Sequence, residues 1–414
     1  MSKQHVLIIG TVWVEPNSSA AGSRMLQLIE LFLNQNYKVS FACAAQKSEK
    51  ALSLKSLGID EVTIELNATS FDDFVKQLLP TIVLFDRFMT EEQFGWRVAE
   101  NCPNAIRILD TEDLHFLRKT RYQQLKRGEE FTIEALLKSD DAKREIASIL
   151  RCDLSLIIST YEMDLLKSVF KIDEKLLYYL PFLLDKIDEP RIEKWKSFEE
   201  RAHFIFIGNF FHKPNVDAVL TIKNEIWSNI KEELPKVEIH IYGAYLNQQI
   251  SQLHNKKEGF IIKGFAENAK EVVKNARVVL APLRFGAGIK GKLTEAMICG
   301  TPSVTTSIGA EGMCKNVSWN GFIEDDFIEF SKKAIQLFSD KNTWETSQKN
   351  GIEIINTIYD KEKLSDPFIN QIKEIQLNLE QHRTQNFLGS LLQHQTLQAT
   401  KYMSKWIESK NSLQ

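Results

Sequence analysis

Two kinds of apolar spacing alternate along most of the chain. Short apolar runs at 6–9, 39–42, 62–64, 82–85, 106–109 and 154–158 read as strands, most of them buried on both faces. A second series follows at 203–207, 237–242, 260–265, 278–281 and 303–305. Between the runs, stretches such as 25–32 and 267–275 carry apolar residues three and four positions apart, the helical period. This alternation predicts an α/β protein with doubly wound parallel sheets. At 414 residues the chain exceeds one ordinary core, so two such domains are expected. After position 312 the pattern becomes largely helical, at 326–338 and 341–359 and beyond Pro367.

One stretch carries most of the candidate chemistry: RVVLAPLRFGAGIKGKLTEAMICGTPSVTTSIGAEG, residues 277–312. A buried strand runs into a loop holding Gly286, Ala287 and Gly288, and a helical pattern of Ile289, Leu293 and Met297 follows, stopped by Gly300 and Pro302. The loop therefore lies at the carboxyl end of a strand, where open α/β sheets bind ligands. Glycines let backbone N–H groups approach an anion, and a helix N-terminus adds partial positive charge. Lys290 and Lys292 place full charges in the first turn, where the macrodipole alone disfavours them. Glu295, three residues after Lys292, can share its edge of the helix. A diphosphate on the glycines and lysines, with a ribose on the carboxylate, uses every part. The plainer alternative is a tight turn with a Lys292–Glu295 surface pair.

Other strand ends add candidates. Asp86 and Arg87 follow one strand, and DTEDLHFLR, residues 110–118, follows another. Charges just past a buried strand point into the cleft, unless they simply begin a helix. Gly22 closes the polar loop 11–21 after the first strand, and Arg24 beyond it can reach a phosphate or stay solvated. Residues 118–127 hold five basic side chains around Tyr122 and Leu125, a solvated face or a surface for anionic lipid.

Composition narrows the class. A net charge of −3 argues against bulk nucleic-acid binding. No apolar run approaches the roughly 18 residues of a spanning helix. The N-terminal apolar run is too short for a signal peptide. The five scattered cysteines, Cys43, Cys102, Cys152, Cys299 and Cys314, show no metal-ligand spacing. A cytoplasmic protein with reduced thiols is expected.

The 277–312 string resembles the donor-binding region of the "glycosyl transferases group 1" family, retaining GT-B enzymes that use nucleotide sugars. The match runs through PLR-x-GAG-x-K-x-K-x-x-EAM and on to GAEG, with Ser303 in place of one valine. Gly208, Pro214, Asn215, Asp217, Ala218 and Val219 match a second family string, and residues 110–118 resemble a third. The resemblance implies two Rossmann-like domains facing a cleft: 1–184 on the acceptor side, 185–365 for the nucleotide sugar, and a helical tail 366–414 that crosses back to the first domain. It implies that His115 meets the donor sugar and acceptor, and that Lys290 and Lys292 hold the diphosphate. Glu295 would hold the ribose, Gly264 would pass the base, and Gly22 and Gly208 would face the cleft. It also implies a UDP- or GDP-sugar donor, a glycan or lipid-linked acceptor, and no required metal. A peripheral contact at the inner face of a membrane is a further expectation, with 402–406 as one candidate segment.

Two departures stand out. Better-studied branches carry a glutamate where this chain has Ala287, and an arginine where it has Asn209. Lys213 is the nearest cation to stand in for that arginine. The departures keep a binding protein without turnover in view. Glu112, Asp113 and Glu311 keep a nucleotide-sugar epimerase or hydrolase in view.

Overall fold

In the computed structural model, which describes residues 4–411, the chain forms two parallel sheets. The first contains β1 (His5–Gly10), β2 (Lys38–Cys43), β3 (Asp60–Thr63), β4 (Ile82–Asp86), β5 (Ile106–Asp110), β6 (Leu154–Ile157) and β7 (Leu177–Tyr179), in the order β3-β2-β1-β4-β5-β6-β7. The second contains β8 (Ala202–Ile207), β9 (Ile239–Tyr242), β10 (Phe260–Gly264), β11 (Ala276–Ala281), β12 (Ser303–Thr305) and β13 (Gly321–Ile323), in the order β10-β9-β8-β11-β12-β13. Strand order reverses between β1 and β4 and between β8 and β11, the switch points at which such sheets take ligands. The architecture is GT-B: two doubly wound Rossmann-like domains with a helical C-terminal region.

The unbroken apolar runs follow from helices on both faces. Along β1, Val6 and Ile8 enter one core while Leu7 and Ile9 enter the other. Along β8, Phe204 and Phe206 face one side and Ile205 and Ile207 the opposite one. The edge strand β3 is half-exposed and sits slightly earlier than its apolar run.

Two local expectations shift. The helix after β1 spans Ala20–Asn34 and starts at the Ser19 cap, whose hydroxyl accepts from the Gly22 amide at 3.0 Å. Gly22 thus lies in the first turn, not at the loop's end. The helix after β11 is Gly291–Ile298, so Ile289 belongs to the loop. The glycines and Lys290 hold the preceding residues out of helical geometry.

The chain crosses between domains twice, side by side. Leu184 pairs with Asp360 in a parallel bridge: its amide donates to Tyr359 O at 2.8 Å, and Lys361 N donates back to Leu184 O at 2.9 Å. The returning helix, Lys361–Leu377, begins five residues before the expected start of the tail at 366 and carries Pro367 within it. It sends Phe368, Ile369, Ile372 and Ile375 into the first-domain core beside Leu28 and Phe32.

The last helices, Leu379–Gln385 and Phe387–Asn411, also lie on the first domain; the final one rests on helices Phe88–Asn101 and Asp140–Arg151. Arg383 anchors them, with Nε and Nη2 each 2.7 Å from the buried Asp153 carboxylate and further bonds to the Pro103 and Ala105 carbonyls. Burial opposes the Asp153 charge, but hydrogen bonds from Arg383 and the charge of Arg107 outweigh it and lower its pKa. Arg383→Ala should cost about 2 kcal/mol in thermal unfolding, the value of a partly buried charge-assisted bond. Because the folded carboxyl is depressed, this contribution is complete above the unfolded value of roughly 4 and is lost as acid protonates the folded group. A cost that stays the same through strong acid would assign the loss to packing instead.

Tyr402, Met403 and Trp406 are exposed on the final helix. No helix among the described residues is long and apolar enough to cross a membrane.

Candidate functional site

The loop between β11 and the Gly291–Ile298 helix meets the carboxyl edge of the first sheet. Lys290 occupies the helix N-cap position with extended backbone. Its side chain is buried and its Nζ donates to Gly288 O at 2.9 Å; burial pulls its pKa down to about 8. Lys292 is partly buried. Its Nζ donates to the amide oxygen of Asn215 and lies 4.5 Å from the centre of the Phe206 ring. Burial, and then the charge of Lys290, pull Lys292 down to about 7. Glu295 is partly buried, its pKa raised by burial, and its carboxylate has no hydrogen bond or ion pair among the described residues. The Lys292–Glu295 surface pair therefore does not form. A neutral amide and a ring face support an ammonium only weakly, so burial suppresses the Lys292 charge and an anion beside this helix turn would restore it.

The other second-domain candidates surround this turn. Gly208 follows β8, and Gly264 ends β10, where its carbonyl accepts from the Gly243 amide at 2.8 Å. Asn209 reaches across to the first domain, donating to Ser18 O at 3.2 Å. Lys213 is exposed and its Nζ lies 4.7 Å from the centre of the Tyr122 ring, so it too reaches toward the first domain.

From the first domain, His115 opens the helix His115–Arg127 beyond β5. It is buried edge-on against Phe88 at 5.7 Å, and its Nε2 stands 3.3 Å from Asp113 Oδ1. Burial pulls the imidazole down to about 4, so it is neutral near pH 7. Burial opposes the Asp113 charge, but Arg118 and His115 outweigh it and hold it below the usual carboxylate range. This turn and the glycine loop touch. Gly288 has φ +63°, and a Cβ there would lie 2.8 Å from the Asp113 Cβ, so both its backbone and its neighbour require glycine.

Arg24 is corrected by the structure. It is fully buried within the first domain, its Nε and Nη2 3.0 and 2.9 Å from the Asp110 carboxylate and its Nη1 2.8 Å from Leu180 O. These bonds commit it to holding the β5 end to the interdomain passage, which removes it as a free phosphate ligand. Gly22 packs on Glu15, where a Cβ would come within 2.3 Å of a carbonyl oxygen. It shapes the loop through close packing.

The basic run 118–127 is a solvated strip only in part: Lys126 and Arg127 are exposed, while the others are paired. Arg118 pairs with Asp113 at 2.7 Å, and Lys119 with Asp141 at 2.7 Å. Arg121 spans the domains, donating to Gly286 O at 2.8 Å and to both Glu311 oxygens at 2.8 Å. Asp113 and Glu311, two of the three carboxyls an epimerase or hydrolase reading requires, are thus held by arginines. Glu112 is half-buried with φ +62°, and desolvation of its carboxyl with Asp110 and Asp86 nearby raises its pKa well above the usual range.

Three residues of the seam carry no site role in the sequence reading: Arg121, Asn215 and Glu162. Asn215 appears there only as one of the residues matching the second family string. Glu162 lies just past the carboxyl end of β6, so the strand-end rule that selects Asp86 and Asp110 also selects it.

The chain is similar to known proteins in part of its sequence and in its fold. Residues 201–340 match the family model described as glycosyl transferases group 1. An uncharacterized 44.6 kDa protein in the cps region of Klebsiella pneumoniae is 24% identical over 191 residues, 44% of this chain and 47% of that protein. The chain thus matches about half the length of that curated relative. A mutant of TarM from S. aureus, solved with fondaparinux, alpha-GlcNAc-glycerol and UDP, superposes with a TM-score of 0.68 at 11% identity, over 89% of this chain and 99% of that one. HepE from Anabaena, solved with UDP and glucose, gives 0.66 at 14%, over 89% and 99%. The chain has the GT-B fold, and residues 201–340, within its second domain, resemble glycosyl transferases group 1.

Proposed function

We propose that this protein transfers a sugar from a nucleotide-sugar donor to a glycan or lipid-linked acceptor, retaining the anomeric configuration. The observation that carries the proposal is Lys292: a partly buried amine on the first turn of a cleft-facing helix, whose hydrogen bond among the described residues goes to a neutral amide. A diphosphate beside it would restore its charge. Lys290 and the helix N-terminus would share the charge that grows on the departing diphosphate. The unpaired Glu295 carboxylate suits two ribose hydroxyls. His115 is placed to orient donor and acceptor, and the donor's own phosphate oxygen takes the acceptor proton. UDP in the TarM and HepE structures supports a uridine donor over a guanosine one.

Titrating UDP-, GDP-, ADP- and TDP-sugars, with product analysis for slow hydrolysis, tests the reading. Binding of none of them would overturn it, and binding without turnover on any acceptor would leave a donor-binding protein. Within the same measurement, Glu295→Gln should weaken nucleoside diphosphate binding by roughly five- to thirtyfold, about 1–2 kcal/mol for a charge-assisted contact made neutral. Unchanged affinity would remove the ribose role.

A further inference from the structure

Glu162 belongs to the first domain, near the start of the helix Thr160–Ser168, yet its carboxylate lies in the seam between the domains. One oxygen, Oε1, accepts from two backbone amides: Leu114 N at 2.9 Å and Gly288 N at 2.9 Å. The first amide belongs to the turn that carries His115, and the second to the glycine loop. The other oxygen, Oε2, is buried and has no hydrogen-bond partner among the described residues. The side chain is fully enclosed.

Two fixed backbone donors hold this carboxylate in one place and leave about half its acceptor sites bare. A buried acceptor without a donor is unfavourable unless a ligand supplies one. The protein has a candidate donor at hand that it does not use. Lys290 lies close enough for its charge to favour the carboxylate, but its Nζ is turned to Gly288 O. The adjoining loop residue, Ala287, has no polar side chain to offer an acceptor of its own. A group that enters beside the glycine loop and the His115 turn as the seam opens therefore meets Oε2 as an unused acceptor.

We propose that Glu162 accepts a hydrogen bond from a hydroxyl of the donor sugar, so that the first domain reads the sugar while the second holds the diphosphate. The proposal rests on the nucleotide-sugar reading above and goes beyond it by assigning the sugar contact. It also makes sugar recognition depend on domain closure, because Glu162 and Gly288 come from different domains.

Calorimetry with UDP and UDP-glucose, on wild type and Glu162→Gln, separates the two readings. The glutamine keeps the volume and an acceptor for the backbone amides. The variant should bind UDP within about twofold of wild type and UDP-glucose roughly tenfold more weakly. A deoxyglucose donor lacking the contacted hydroxyl should lose a similar factor on wild type and nothing further on the variant. Equal losses for UDP and UDP-glucose would overturn the proposal and leave Glu162 as a tie between two backbones. No loss for either, or wild type binding UDP-glucose no better than UDP, would also overturn it while leaving nucleotide binding intact. Wild type that binds no nucleoside diphosphate would overturn the underlying reading as well. If Glu162→Gln lacks a cooperative thermal transition, Glu162→Asp replaces it. The shorter carboxylate should show the same selective loss, and wild-type affinity for both ligands would count against the proposal.

Discussion

Lys292→Ala should lower turnover by roughly ten- to more than a hundredfold and leave the fold intact. The lower figure corresponds to about 1.5 kcal/mol and the upper to about 3 kcal/mol, the range for hydrogen bonds to charged groups. The fold should survive because Lys292 gives the apo protein little: its partners are one amide and one ring face. The pH dependence provides a second check. The folded pKa is about 7 against an ordinary value of 10.5. Between those values the unfolded chain binds the proton and the folded chain does not, so stability rises with pH across that window. Thermal melts from pH 7 to 10 should show this rise in wild type and less of it in the alanine variant. Binding of a diphosphate should reverse the shift, with proton uptake above pH 7, measurable by calorimetry in two buffers of different ionisation enthalpy. Turnover near wild type would return Lys292 to an ordinary helix charge.

His115→Ala should lower turnover about a hundredfold while nucleoside diphosphate affinity changes by only a fewfold. Misplacing a reactant by about 1 Å already costs on that scale. His115 lies in the first domain and the diphosphate turn in the second, so the imidazole contributes where donor and acceptor meet. That is the pattern of an interaction realised mainly in the transition state. With its pKa near 4 the ring acts as a neutral hydrogen-bonding group. The wild-type rate should then show no histidine inflection at this residue between pH 5.5 and 8. Equal losses in turnover and affinity would mark a structural histidine whose removal lets the Phe88 contact collapse.

The sequence was most informative where local chemistry and chain direction coincide. The alternation of buried runs with helical spacing marks both sheets, because helices cover each sheet on both faces. The glycine loop, Lys290, Lys292 and Glu295 are contiguous, so one string carries them all. Contacts made across the seam were hidden. Arg24 looked like a free cation because Asp110, its partner, is 86 positions away. Arg121 looked like one member of a basic run because Glu311 is 190 positions away. The early start of the final crossing was obscured by Pro367, which reads as a stop but lies within the helix. Glu162 was missed because its two amide donors lie on separate segments of the chain.

The returning helix sets an order of assembly. Phe368, Ile369, Ile372 and Ile375 complete a core whose other walls come from residues in the first half of the chain. During synthesis, the first sheet leaves the ribosome with one side of that core uncovered. The second domain, with its own strands contiguous from 202 to 323, can close before the first is finished. The guest thus matures inside an incomplete host. An apolar trough beside β1 and β2 stays open to chaperones, or to another nascent copy, until about 375 residues have been made.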